Sequence, residues 1–213
     1  MTTFKLGTRL PALALALLLS AAGNHAWAAD NKPLAIGAKA PLAEIKLKSA
    51  TNGQEVSIAK QAGPAGTLVV FTCNGCPFAQ AWEERIVTLG NTFAKRGIGV
   101  LLINSNNPTS SKGDTFDLMQ QRAKERGMTF PYAVDPDSIL ARAFGAAKTP
   151  EAYLFDKGGQ LVYHGTIDDN HEDASKVGKT YLKDALEAVA AGKKPALAET
   201  KSLGCGIKFP KTS

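Results

Sequence analysis

The sequence predicts an α/β fold with a central mixed sheet flanked by helices. Two short, continuous apolar runs rich in branched residues, 67–71 and 98–103, have the character of strands that are covered on both faces. A segment with helical apolar spacing separates them, which favours a parallel β-α-β unit. Later in the chain, two further apolar runs flank the turn sequence Asp-Lys-Gly-Gly at 156–159, and this pattern predicts a closing antiparallel hairpin.

The individual elements follow from local patterns in chain order. Residues 54–58 alternate weakly between polar and apolar and are predicted to add an N-terminal edge strand. After the strand at 67–71, Pro77 suits the first turn of a helix, and Gly97 supplies its stop. The pattern then predicts a strand at 98–103 and a helix that is capped by Ser111 or Asp114 and carries Phe116, Met119 and Ala123. A strand at 130–134 and a short helix at 135–144 follow. The last predicted elements are strands at 152–155 and 161–163 and a C-terminal helix from Val177 to Gly192.

The composition is that of an ordinary globular protein and excludes several classes. The 213 residues are 44% hydrophobic and 21% charged, and the formal net charge is +6. A chain of this kind is not disordered, collagen-like or a multi-pass membrane protein. Basic residues are interleaved with acidic ones along most of the chain, so we expect no nucleic-acid partner.

The N-terminus has the three parts of a secretory signal. Lys5 and Arg9 precede an apolar stretch at 10–22, and Ala-Trp-Ala at 26–28 puts small residues where a signal peptidase reads. The apolar stretch is shorter than the roughly 20 residues that span a bilayer. We therefore expect residues 1–28 to be a signal peptide that is removed, leaving a periplasmic protein with no stable membrane anchor.

The mature chain is long enough for one domain with its own core. It would comprise residues 29–213, with a C-terminal tail at 193–213 that follows the last predicted helix. Removal of the signal lowers the net charge to +4, because Lys5 and Arg9 are lost. Three cysteines are too few for a domain held together mainly by disulfides.

The sharpest local feature is the sequence Cys73-Asn74-Gly75-Cys76-Pro77, which lies between a predicted buried strand and the first helix. Backbone N–H groups and the positive end of the helix dipole occupy such a position, and both stabilise a thiolate. Two thiols at this spacing can also bond to each other. The pattern indicates reversible dithiol/disulfide chemistry without a bound cofactor. We expect Cys73, with a lowered pKa, to attack a partner disulfide and Cys76 to resolve the mixed disulfide.

Two other interpretations of the cysteine pair stay open. The pair could be an inert structural disulfide, although so small a loop constrains the unfolded chain little. It could also be half of a zinc site, but the remaining candidates, Cys205, His164 and His171, show no second paired spacing. We therefore expect no metal at this site.

Several short motifs also stand in the order typical of a known family. They are Val-Phe-Thr-Cys-Asn-Gly-Cys-Pro-Phe at 70–78, Thr149-Pro150, Phe-Asp-Lys at 155–157, Gly-Thr-Ile-Asp-Asp-Asn at 165–170 and Gly-Cys-Gly-Ile-Lys at 204–208. Together they resemble the exported thioredoxin-fold redoxins of the peroxiredoxin-like AhpC/TSA superfamily. The resemblance implies a thioredoxin fold, with Thr149 and Pro150 in a loop that faces the cysteine pair and joined by a cis peptide bond. A proline without an N–H leaves the backbone of Thr149 free to pair with a substrate peptide.

The resemblance leaves three functions to compare. The first is a thiol-disulfide oxidoreductase that acts on protein or small-thiol substrates and exchanges electrons with a partner. The second is a peroxide reductase, which resembles Pro-x-x-x-Thr-x-x-Cys; here the Thr position holds Cys73 or Val70, so efficient peroxidase activity is not expected. The third is copper delivery by two Cys and a downstream His, for which His164 and His171 are available, although the Cys-x-x-Cys spacing is shorter than in that pattern.

Three features have no fixed role at this point. Cys205, between two glycines, could act as a third redox thiol, form a bond to another molecule or have no role. The stretch at 168–170 matches the family but is unassigned. The strand at 67–71 contains no acid that could accept a proton, and Asn74 and Gly75 do not fix the redox potential that decides the direction of the reaction.

Overall fold

The computed structural model describes residues 1–3 and 32–211. The signal peptide predicted for residues 1–28 therefore lies outside the described residues, apart from its first three. In the part of the chain that is described, no helix is both long and apolar enough to cross a membrane.

A seven-stranded mixed sheet forms the centre of the fold, as the sequence predicts. Its strands, in spatial order, are β2 (Glu55–Val56), β1 (Leu47–Ser49), β5 (Tyr132–Val134), β4 (Ile98–Asn104), β3 (Gly66–Phe71), β7 (Glu151–Asp156) and β8 (Leu161–Gly165). β3, β4 and β5 run parallel, whereas β7 pairs antiparallel with β3 and with β8. The antiparallel pair of β1 and β2 is the N-terminal strand extension.

In the described part of the chain, four α-helices cover the sheet, and a second small sheet lies beside it. The helices are α1 (Pro77–Ala94), α2 (Phe116–Glu125), α3 (Ile139–Phe144) and α4 (Tyr181–Ala190). Short 3₁₀ turns occur at Lys112–Asp114, Pro136–Ser138 and Ala174–Lys176. The second sheet pairs β6 (Lys148–Thr149) with β9 (Cys205–Gly206).

The core has two layers, one on each face of the sheet. Leu68 and Val70 of β3 pack with α1, α2 and α4, whereas Val69 and Phe71 pack with α3 on the opposite face. All six residues of β3 are buried, which explains why the strand has a continuous apolar sequence rather than an alternating one. The fold class predicted from the sequence is therefore confirmed.

The N-terminal cap of α2 differs from the prediction. Thr115 caps this helix, and its Oγ1 accepts the Leu118 N–H at 3.5 Å. Neither Ser111 nor Asp114 caps this helix. The Asp114 carboxylate instead accepts hydrogen bonds from the Asn74 N–H and the Asn104 side chain next to the cysteine loop.

The C-terminal helix begins later than predicted, and three short strands, β1, β6 and β9, were not predicted. α4 begins at Tyr181 rather than at Val177, because Asp169 Oδ1 accepts the Gly178 N–H at 2.9 Å and holds the preceding residues outside the helix. β1 has three residues and β9 has two, and strands this short carry little alternation to detect.

Candidate active site

The cysteine loop connects the end of β3 to the start of α1. Cys76 is the N-cap of α1, and its Sγ accepts the Ala79 N–H at 3.5 Å. Pro77 occupies the first turn, where its missing N–H costs nothing. Cys73 and Cys76 are both free and buried, and their side chains are in hydrogen-bonding contact with each other. The helix start therefore holds two adjacent thiols, as the spacing predicts.

The loop of Thr149 and Pro150 faces this cysteine pair. The peptide bond between the two residues is cis. The Cys76 thiol donates to the Thr149 carbonyl oxygen at 3.0 Å, and the Cys73 thiol donates to Thr149 Oγ1 at 3.4 Å. The structure thus brings together four residues that the sequence and the resemblance single out.

Cys205 is the third thiol of the same cluster. It packs, half-buried, against Cys73 and Cys76, and β9 places it directly opposite Thr149 in the small sheet. Burial raises the pKa of the Cys205 thiol, and its contact with Cys76 adds to this effect. The tail therefore places Cys205 inside the site rather than free in solvent.

The pKa values of the paired thiols are ordered opposite to the expectation. The hydrogen bond from Cys73 lowers the pKa of Cys76 to about 4, despite its burial, and contacts with Cys205, Thr149 and the Ala79 amide add to this effect. The same hydrogen bond to Cys76, together with burial, raises the pKa of Cys73. Cys76 is the helix cap and lies between the other two thiols, so it receives the donors that a thiolate needs.

The ultraviolet thiolate absorbance of the reduced protein checks this order. Because the pKa of Cys76 falls from its ordinary 9.0 to about 4, we expect one thiolate to form as the pH rises through about 4. Cys76→Ser is expected to abolish this step, and Cys73→Ala to move it to higher pH by removing the main donor. Wild-type protein that shows no thiolate at neutral pH would contradict the assignment.

A buried carboxylate holds the cysteine loop in place. Asp114 accepts the Asn74 N–H at 2.7 Å, as well as hydrogen bonds from the amide groups of Asn104 at 3.0 Å and Asn106 at 2.9 Å and from the Ser111 hydroxyl. The negative charge of Asp114 contributes to the raised pKa of Cys73. The sequence indicates Asp114 only as a possible helix cap; its place after a turn-rich, Asn-rich run is the signal that points to this second role.

The residue between the cysteines takes part in the same network. The Asn74 side chain donates to the Gly113 carbonyl at 3.0 Å and accepts the Tyr132 hydroxyl at 3.0 Å. Burial raises the pKa of Tyr132 well above its ordinary value, so the phenol remains protonated and can donate. Asn74 therefore fixes the loop between the two thiols from both sides.

A second buried acid directly follows the cis proline. Glu151 Oε1 lies 2.7 Å from His164 Nε2, and Glu151 Oε2 accepts the Ala147 and Lys148 N–H groups, each at 2.9 Å. Burial alone would raise the pKa of Glu151, but these hydrogen bonds outweigh it and the net pKa is lowered. Glu151 pairs in register with Phe71 of the neighbouring strand β3, and its hydrogen bonds tie the loop before the cis proline to His164.

The stretch at 168–170 anchors the first helix. Asp168 accepts the Trp82 indole N–H at 2.7 Å and an Arg85 N–H at 2.6 Å. His171 then stacks on Phe78, with ring centroids 4.6 Å apart, at the start of α1. The segment that matches the family but had no assigned role therefore positions the cysteine-bearing helix.

The two histidines considered as copper ligands have other partners. His164 is bound to Glu151, and His171 packs against the rings of Phe78 and Trp82. Across residues 1–3 and 32–211, no group of three or more His, Cys, Asp or Glu side chains is arranged to hold a metal ion.

The fold and the paired thiols define the class as a thioredoxin-fold redoxin. The chain belongs to the AhpC/TSA family, whose family model matches residues 36–164. Similar chains found by comparison with known proteins include the following three. The crystal structure of a hypothetical protein from Sinorhizobium meliloti 1021 has a TM-score of 0.78 and 31% identity, covering 85% of this chain and 98% of that one.

The other two are a thiol-disulfide oxidoreductase by name and a thioredoxin-like protein. Thiol-disulfide oxidoreductase ResA from Geobacillus thermodenitrificans is 25% identical over 158 residues, which is 72% of this chain and 84% of that protein. The solution structure of a thioredoxin-like protein in its oxidised form has a TM-score of 0.55 and 22% identity, covering 75% of this chain and 97% of that one. The thioredoxin fold implied by the sequence motifs is therefore confirmed.

Proposed function

We propose that this protein is an exported thiol-disulfide oxidoreductase in which Cys73 and Cys76 alternate between two thiols and one disulfide. The observation that carries the proposal is the contact of two free thiols at the N-terminus of α1, beside the Thr149 backbone. An inert structural disulfide fits this arrangement less well, because the helix cap and the neighbouring thiol stabilise a reactive thiolate on the pair.

The reaction consists of two exchange steps. The Cys73 thiolate bonds to one sulfur of a substrate disulfide, and the other substrate sulfur leaves as a thiolate. The Cys76 thiolate then bonds to Cys73 Sγ, and the second substrate sulfur leaves. The substrate gains two electrons and two protons, and the cysteine pair becomes a disulfide that an electron-exchange partner reduces again. The reverse sequence oxidises a dithiol substrate.

Thr149 supports both steps because its carbonyl and hydroxyl groups can hydrogen-bond to the cysteine pair whichever sulfur carries the proton. When Cys76 holds the shared proton, its thiol donates to the Thr149 carbonyl, and the Thr149 hydroxyl can donate to a thiolate on Cys73. When Cys76 is the thiolate, the Ala79 amide stabilises it for the resolving step. Attack by Cys73 is therefore compatible with the lower pKa of Cys76, since the proton moves only between two touching sulfurs.

Export and the nature of the substrate are part of the proposal. The charged, apolar and small-residue parts of residues 1–28 support secretion to the periplasm by a cleaved signal peptide. The name of the ResA relative supports thiols and disulfides as substrates, and the Thr149 backbone beside the pair supports protein substrates among them. No bound cofactor is required for this chemistry.

The peroxidase alternative lacks support at the site. The threonine that would hold a peroxide against a thiolate is replaced by Cys73 or Val70, depending on which cysteine is counted. Val70 is a buried core residue of β3 and offers no hydroxyl. We therefore expect little peroxide reduction.

Trapping of a mixed disulfide tests the proposed roles. Cys76→Ser in a Cys205→Ser background should retain a peptide disulfide as an adduct on Cys73, because no second thiol remains to release it. The matched variant, Cys73→Ser in the same background, should trap much less. Mass mapping of the adduct gives the bonded sulfur.

Two outcomes of the trapping experiment would count against this account. A stable adduct on Cys76 alone would reverse the roles of attacking and resolving thiol. No adduct on either cysteine, with both variants folded, would overturn the oxidoreductase itself.

A further inference from the structure

The C-terminal tail occupies the backbone edge next to the cis proline. Cys205 pairs with Thr149 and Gly206 with Lys148 in antiparallel register, and the Ile207 N–H donates to the Ala147 carbonyl at 3.1 Å. An extended peptide that binds by adding a strand uses an edge of this kind. The tail therefore already fills the place that a substrate peptide would need.

The docking of the tail is specific rather than incidental. The Ile207 side chain is buried in the core layer on the α3 side of the sheet. The Lys208 N–H donates to Asn106 Oδ1 at 2.7 Å, and the Ser202 hydroxyl donates to Glu151 at 3.1 Å. Anchors thus hold the segment on both sides of Cys205.

The close approach of the Gly204 and Thr149 backbones sets the position of Cys205. Gly204 lies so near Thr149 that a Cβ at this position would be 2.2 Å from the Thr149 carbonyl oxygen. Only glycine permits this distance, and it brings the next residue, Cys205, against the thiol of Cys76. By contrast, a Cβ on Gly206 would meet no atom within 4 Å.

We propose that residues 202–208 act as a built-in substrate mimic and that Cys205 is a third redox thiol, which exchanges with the disulfide of the proposed oxidoreductase. This inference rests on the proposed function. The Cys205 thiolate bonds to Cys76 Sγ, the bond between Cys73 and Cys76 breaks, and Cys73 leaves as a thiolate that takes up the proton lost by Cys205. No net electrons are gained or lost, because a thiol and a disulfide are exchanged for a thiol and a disulfide.

The exchange has two consequences for access to the site. Cys73 and Cys76 are buried, whereas Cys205 is half-buried, so the disulfide moves to a sulfur that an electron-exchange partner can reach. A protein substrate needs the same Thr149 edge, so it must displace the tail before it can pair there. Small disulfides without a peptide backbone do not need that edge.

Gly204→Ala and its matched control Gly206→Ala test the inference. Both add one methyl group to the tail, but only the former clashes with the Thr149 carbonyl. After limited oxidation, mass mapping should find a Cys76–Cys205 disulfide in the wild type and in Gly206→Ala, and roughly tenfold less of it in Gly204→Ala. Gly204→Ala should raise the rate of peptide-disulfide reduction relative to that of a non-peptide disulfide, whereas Gly206→Ala should leave this ratio unchanged.

The outcomes separate this inference from the proposed function. If the wild type forms only the Cys73–Cys76 disulfide and both glycine variants behave alike, the substrate mimic is overturned while the oxidoreductase stands. If the wild type reduces no disulfide, the proposed function itself is overturned. Cys205→Ser keeps the tail anchors and removes one sulfur, so it should lose the Cys76–Cys205 bond even if Gly204→Ala folds poorly.

Discussion

Serine in place of Cys73 or of Cys76 is expected to slow the steady-state reduction of a peptide disulfide by roughly a thousandfold or more. Each exchange step needs one of these two sulfurs, and a hydroxyl neither attacks a disulfide nor forms one under these conditions. Serine is close to cysteine in size and can keep the contact with Thr149, so the fold should be preserved. The measurement is turnover with an excess of a small reductant.

Cys205→Ser is the matched control for these two variants. It changes the third thiol of the same cluster, so it reports what loss of a sulfur does without removal of the redox pair. We expect its turnover to fall far less than that of Cys73→Ser or Cys76→Ser, because the Cys73–Cys76 disulfide can still be reduced directly. Cys73→Ser or Cys76→Ser variants that retain near wild-type turnover would rule out the two-cysteine cycle.

Glu151→Ala is expected to cause the largest loss of stability, about 3–5 kcal/mol of unfolding free energy. The substitution leaves His164 and the amides of Ala147 and Lys148 without their buried acceptor. Denaturant unfolding of the reduced protein measures the loss. The double variant Glu151→Leu with His164→Leu should recover only the part of the loss that comes from His164, because the amides of Ala147 and Lys148 still lack an acceptor.

The pH dependence of this effect has a definite sign. Since the pKa of Glu151 in the folded protein lies below its ordinary 4.5, its charged form stabilises the fold above that value. This contribution disappears as the pH falls through the lowered pKa. The difference between the wild type and Glu151→Gln should therefore be larger at neutral pH than in acid. A difference that grows in acid would contradict the role assigned to the carboxylate.

The parts of the site that sequence predicts are those carried by neighbouring residues. Cys73, Cys76 and Pro77 belong to one short motif at a strand-to-helix junction, and both flanking elements have clear apolar patterns. Thr149 and Pro150 could be placed only through the resemblance, because nothing in their local sequence indicates which loop they face. The fold class followed from the continuous apolar strands in the same way.

The parts that sequence does not predict depend on contacts between distant segments. β9 has two residues in a glycine-rich tail, so its pairing with β6 leaves no periodic signal. Asp114 and Glu151 resemble surface acids in sequence, and only the packed structure supplies the donors that bury them. The lowered pKa of Cys76 comes mainly from the contact with Cys73, and Cys205 adds to it from a distant part of the chain.

Disulfide mapping across graded redox buffers tests the central claim most directly. The reduced mature protein is equilibrated with mixtures of reduced and oxidised glutathione, alkylated and analysed by mass. The variants Cys76→Ser and Cys205→Ser are treated in the same way. The account predicts one reversible two-electron transition that involves Cys76 and, in Cys205→Ser, joins it to Cys73. A pair that never titrates in such buffers, or titrates only after a metal is removed, would contradict it.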